Sequence, residues 1–144
     1  MKKTLFLLAA LLPTALCATS SHDNATDLTG VWQQVQTSKT DGHLMQLPVW
    51  KVMQKDGTFC TFLIANEHGQ SVITNQGRFT VVNDSTVTEH IDGSITDPEL
   101  VGKENRITYL FDGKDKIHVS YRMPGASRDG QETWVRVKLE MPRH

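Results

Sequence analysis

From Leu28 onward the chain is cut into short runs of apolar and β-branched residues, each closed by Gly, Asn, Asp or Pro. Such runs are strand-sized, and their alternation fits a sheet with one covered face. The pattern predicts strands at 31–37, 48–54, 58–65, 77–82, 85–92, 105–111, 116–123 and 132–140. Several neighbours are joined by tight-turn segments, Lys55-Asp56-Gly57, Asn83-Asp84 and Asp112-Gly113-Lys114-Asp115. Asn, Asp and Gly tolerate the positive φ that hairpins need. No long window carries a 3.6-residue period, and the one helical turn expected is at 97–101, with Pro98 near its start. Consecutive hairpins imply a meander, and eight antiparallel strands dispose of both sheet edges by closing on themselves. The fold class expected is therefore all-β, an eight-stranded antiparallel up-and-down barrel, with a two-sheet sandwich as the alternative. With 38% hydrophobic residues in 144, the chain can build one such core, expected over 28–144.

The N-terminus follows a different logic. Met1-Lys2-Lys3 leads into an apolar run ending at Leu12, then Pro13 and small residues. This order predicts a secretory signal peptide over 1–17, cut ahead of Ala18, with Ala15 and Cys17 as the small residues before the cut. The run is shorter than the roughly 20 residues that span a bilayer, so no transmembrane helix is expected. Residues 18–27 are polar and read as a flexible tail. The expected location is periplasmic or extracellular. Thr14-Ala15-Leu16-Cys17 also resembles the bacterial lipobox, although Leu16 stands where that motif has a small residue. It implies, as the alternative, an outer-membrane form anchored by lipid on Cys17. In either case Cys60 is the thiol left to the folded domain, so no internal disulfide is expected, and Phe59-Cys60-Thr61-Phe62 reads as a run with a buried small hydrophobe. A net charge of −1 gives no support to a nucleic-acid partner.

Gly30-Val31-Trp32 opens the first predicted strand and Trp134-Val135-Arg136 lies in the last. This pairing resembles the lipocalin and calycin barrels, and the chain as a whole is similar to small exported lipocalin-like domains of uncharacterised function in Gram-negative bacteria. The resemblance implies that Gly30 and Trp32 form the opening motif and that Arg136 lays its cation over the indole to close one end. An Arg over a Trp face stabilises by roughly 0.5–2 kcal/mol, and Gly permits close strand approach. The disulfides and flanking helix usual in secreted lipocalins are not evident.

Alternation in 85–92 puts Glu89 on one face with Val87 and Ile91. A carboxylate inside a barrel needs a partner, and Tyr109 and Tyr121 on later apolar faces are candidates. Trp50, Phe62 and Phe79 are expected to line the same interior, so the candidate ligand-binding residues are Trp50, Phe62, Phe79, Glu89, Tyr109 and Tyr121. Met53, Phe59 and Phe111 are further apolar candidates. The parity of 48–54 is open, because Trp50 and Val52 alternate with Val49, Lys51 and Met53. The six histidines, at 22, 43, 68, 90, 118 and 144, have no metal-ligand spacing, and no cofactor fingerprint or nucleophile motif is present. Asp84-Ser85-Thr86 resembles a short O-glycosylation motif of exported bacterial proteins and equally makes a turn. The leading expectation is a non-enzymatic barrel that binds a small apolar or amphipathic molecule. An envelope module with a filled barrel, meeting protein or glycan through 39–47, 65–76 and 94–104, is the alternative. A hydrolase or isomerase built on an interior carboxylate ranks third, for want of a second catalytic group.

Overall fold

The computed structural model describes residues 27–65, 69–123 and 125–142. The expected signal peptide, Cys17, most of the expected tail, His22, His68 and His144 lie outside the described residues. Eight strands form a closed antiparallel barrel in which each pairs with its sequence neighbours and the last returns to the first. They are β1 (Gly30–Thr37), β2 (Leu44–Met53), β3 (Thr58–Leu63), β4 (Val72–Asn83), β5 (Thr86–Ser94), β6 (Glu104–Phe111), β7 (Lys116–Tyr121) and β8 (Gly130–Arg136). The two-sheet alternative is not what the chain adopts. The helical turn at 97–101 is a 3₁₀ turn at Pro98–Leu100, with the Asp97 carboxylate accepting from Glu99 N–H.

Three boundaries differ from expectation by four residues or more. β2 begins before Pro48 and β4 begins at Val72, so parts of the expected loops 39–47 and 65–76 are strand. Pro48 is tolerated because β1 and β2 lose register between Gln33 and Val35, where no ladder bond asks for its missing N–H. β8 stops at Arg136 rather than running to 140: its ladder with β1 ends at the Trp32–Arg136 pair, and at most two residues of β1 lie beyond it.

The up-and-down order gives the barrel two unlike ends. At one, β1 begins, β8 finishes and the tight turns after β2, β4 and β6 gather; at the other lie the longer connections after β1, β3, β5 and β7. The tight end is closed. Trp32 is almost wholly buried, its indole N–H donating to Leu28 C=O at 2.8 Å. The Arg136 guanidinium lies 4.2 Å from the centre of the Trp32 ring and donates to the Thr29 and Asp27 carbonyls at 2.5 and 2.7 Å. Gly30 makes room for that guanidinium: it holds φ +128°, and a Cβ there would sit 2.8 Å from Arg136 Nη1. Phe111 packs edge-on to both Trp32 and Tyr109, with centroid separations of 6.4 and 5.7 Å.

Gly77 has a harder constraint, since a Cβ would fall 2.0 Å from the backbone oxygen of His90. That atom belongs to the paired strand β5, next to the register shift between Gln76 and Gly77, so relief requires the two strands to part. Gly77→Ala is therefore expected to destabilise the domain by about 3 kcal/mol. Thermal denaturation checks this, and an unchanged midpoint would mean that β4 and β5 separate at no cost.

Candidate functional site

The barrel interior holds a cavity of ≈ 410 Å³. It extends from Trp32 and Trp134 near the closed end to Leu63, Thr96 and Met123 near the long connections. Its apolar wall includes Met53, Phe59, Val87, Ile91, Leu100 and Ile107, contributed by alternate positions of β2, β3, β5 and β6 together with the 3₁₀ turn. Each of these six is buried in the core cluster.

Besides Gln34, Thr61, Thr74 and Thr96, polar groups interrupt the wall at three places. The Glu89 carboxylate, 6% exposed, pairs with the Lys51 ammonium, 17% exposed, across the interior. Lys51 also lies 4.8 Å from the centre of the Phe59 ring. On β8 the Glu132 carboxylate accepts from Tyr121 O–H and from Trp134 Nε1–H, both at 2.9 Å. Burial, reinforced by the Glu132 charge and its hydrogen bond, pushes the Tyr121 phenol up to about 12, so it stays a donor across ordinary pH. The third group is a pair of amides. Asn105 is buried beside Glu89 in the β5–β6 register, and Asn75 lies on β4, where irregular pairing with β3 turns both Thr74 and Asn75 inward. The Oδ1 atoms of both are buried without a hydrogen-bond partner. A buried acceptor left unmade costs about 1–3 kcal/mol, so a partner from outside the chain would gain from meeting them.

Of the six residues expected in the site, Glu89, Tyr109 and Tyr121 line this cavity. They do not form one polar group. Glu89 is held by Lys51, Tyr121 by Glu132, and Tyr109 donates to the Asn83 carbonyl at 3.3 Å. Burial, then the nearby Asp84 charge, raises the Tyr109 phenol above its ordinary value. Trp50 and Phe62 are placed differently. In β2 the inward set is Val49, Lys51 and Met53, and in β3 it is Phe59, Thr61 and Leu63. Trp50 and Phe62 therefore face outward, opposite one another across the β2–β3 ladder with ring centroids 6.2 Å apart. The same parity leaves Cys60 half-buried on the outer face rather than in the core. Phe79, opposite Glu89 in register, packs against the core but does not border the cavity.

Sequence reasoning missed Lys51, Asn75, Asn105 and Glu132. Three carry a readable signal, since Lys51 alternates with Val49 and Met53, Asn105 with Ile107 and Tyr109, and Glu132 with Trp134. Asn75 carries none, because it faces inward through a register irregularity. Among the described residues, no three His, Cys, Asp or Glu side chains gather as metal ligands. The turn at Asp84-Ser85 is held by Asn83, whose Oδ1 accepts from Ser85 N–H at 3.0 Å and from its hydroxyl at 3.2 Å, while Thr86 is buried.

No curated protein matches the chain. A family model described as a domain of unknown function, DUF4488, matches residues 27–143, a span that contains all eight strands. The chain thus belongs to the DUF4488 family.

Proposed function

We propose that this chain is an exported, lipocalin-like carrier that holds a small apolar or amphipathic molecule inside its barrel and does no chemistry on it. The observation that carries the reading is the interior cavity of ≈ 410 Å³, in which an apolar wall meets buried polar atoms without partners. Its volume falls in the range of sites for drug-sized molecules, about 300–1,000 Å³. The Trp32–Arg136 closure supports the lipocalin-like part of the reading, and the basic and apolar leader before Ala18 supports export. Binding fits the polar groups better than catalysis does. The interior carboxylates of Glu89 and Glu132 are engaged by Lys51, Tyr121 and Trp134, which leaves neither placed as a free base.

A second reading, an envelope module that meets another protein through its loops, is favoured by one observation. Leu44, Met45, Leu63, Ile73 and Ile95 are 42–61% exposed, and all lie at the end of the long connections. In the carrier reading the same aliphatic rim borders the mouth through which the ligand passes.

Comparing native and denatured masses of the protein taken from its own envelope fraction tests both. The expected result is a denatured chain beginning at Ala18 and extra mass in the native spectrum alone. A chain beginning at acylated Cys17 would replace soluble export by a lipid anchor. A bare native chain that also takes up no alkyl probe would overturn the carrier in favour of the loop-mediated module.

A further inference from the structure

Resting on the carrier reading, we propose that the ligand is an amphiphile whose polar head donates hydrogen bonds and carries positive charge, a long-chain primary amine, rather than a carboxylate of the fatty-acid kind. The charge inside the cavity has a direction. Two carboxylates, Glu89 and Glu132, border it against one ammonium, Lys51, and that ammonium is committed to Glu89. Among the described residues Glu132 forms no ion pair; its partners are the neutral donors Tyr121 and Trp134. A carboxylate head would find Lys51 occupied and would meet the field of Glu132. An ammonium head would find that field attractive in a setting where screening is weak.

The unpartnered atoms point the same way. The Oδ1 atoms of Asn75 and Asn105, both in the cavity lining, accept hydrogen bonds and cannot donate them. Asn105 is 7% exposed, so bulk water does not readily supply its partner. A carboxylate, having only acceptors, can satisfy neither atom, whereas a primary ammonium brings three donors. The aliphatic side chains of Val87, Ile91, Leu100 and Ile107, which share the lining with these groups, offer apolar surface that suits an alkyl chain. The cavity has the volume of about fourteen waters at ~30 Å³ each, enough for a head and a medium-length chain.

The test compares three decyl probes on the purified chain at pH 7, decylamine, decanol and decanoate, by isothermal titration and by the emission of the cavity-lining Trp32 and Trp134. Decylamine is expected to bind at one site at least tenfold more tightly than decanol, and decanoate more weakly than decanol. Glu132→Gln is expected to bring decylamine to within about threefold of decanol, both measured on that variant. Decanoate binding as tightly as decylamine would overturn the amine assignment and leave the carrier standing. An undiminished preference in Glu132→Gln would equally overturn it, since the charge would then be read elsewhere. If none of the three probes binds, the carrier reading falls and the inference with it.

Discussion

Replacing Lys51 with methionine is expected to lower the stability of the domain by about 3 kcal/mol, a larger loss than any surface substitution would give. The ammonium and the Glu89 carboxylate face each other within the barrel, where little water reaches either. Methionine keeps an unbranched stem of similar reach, so the space beside Phe59 stays filled and the loss isolates the charge. What remains is a carboxylate desolvated among Val87, Ile91 and Ile107 with no cation to compensate it. Breaking one side of a buried pair costs about 3–5 kcal/mol, and the 17% exposure of Lys51 places this case at the lower end. Urea denaturation should show the midpoint falling with little change in slope. The double variant Lys51→Met with Glu89→Gln should recover more than half of the loss, because neither charge is then left alone. A Lys51→Met protein as stable as its parent would mean that water in the cavity solvates Glu89 adequately.

How much of this was legible in the sequence differs between fold and site. The barrel is legible because each strand between tight turns has one buried face, and alternation survives wherever that face is covered. The starts of β2 and β4 are not, for the same reason. Leu44, Met45, Val72 and Ile73 lie where the strands project past the barrel wall, and with neither face covered their apolar residues follow no period. At the other extreme, Val137-Lys138-Leu139 continues the alternation of β8 but gains no strand from it. Val137 N–H still reaches Val31 C=O at 2.8 Å, and beyond it only Gly30 of β1 remains.

The site is harder to read because size misleads where parity is ambiguous. In β2 both faces carry large apolar residues, so weight alone assigns Trp50 to the interior, while regular pairing with the inward-facing Trp32 of β1 places Lys51 there. Polar residues are usually read as outward, and that habit hides Asn105 and Glu132 even though each alternates with an aromatic or aliphatic neighbour. Glu89 escapes the habit because Val87 and Ile91 flank it on both sides. Interior polar groups in a small barrel are thus found by asking what alternates with the largest buried residues.

Trp32 presents the other large expected effect, because one side chain serves both stability and the shape of the cavity. Trp32→Ala is expected to cost about 3–5 kcal/mol, the range for removing a buried aromatic side chain, and its burial at 1% exposure gives the void no route to collapse into solvent. The loss has parts that can be separated. Arg136→Ala removes the cation over the ring and the two carbonyl contacts to Thr29 and Asp27 while leaving the indole in place, and should cost about 1–3 kcal/mol. If the two side chains act as one closure, the double variant will lose less than the sum of the single losses, since Arg136 has no ring to cover once Trp32 is gone. Strict additivity would mean that Arg136 secures the N-terminal strand through its carbonyl contacts alone. Trp32 also borders the cavity, so its removal extends the cavity toward the tight turns. A probe longer than decylamine should then gain affinity in Trp32→Phe, a milder variant expected to keep the fold, relative to the parent. In the proposed carrier, the closed end would set the length of ligand that the barrel accepts, and Glu132 and the two asparagines the chemistry of its head.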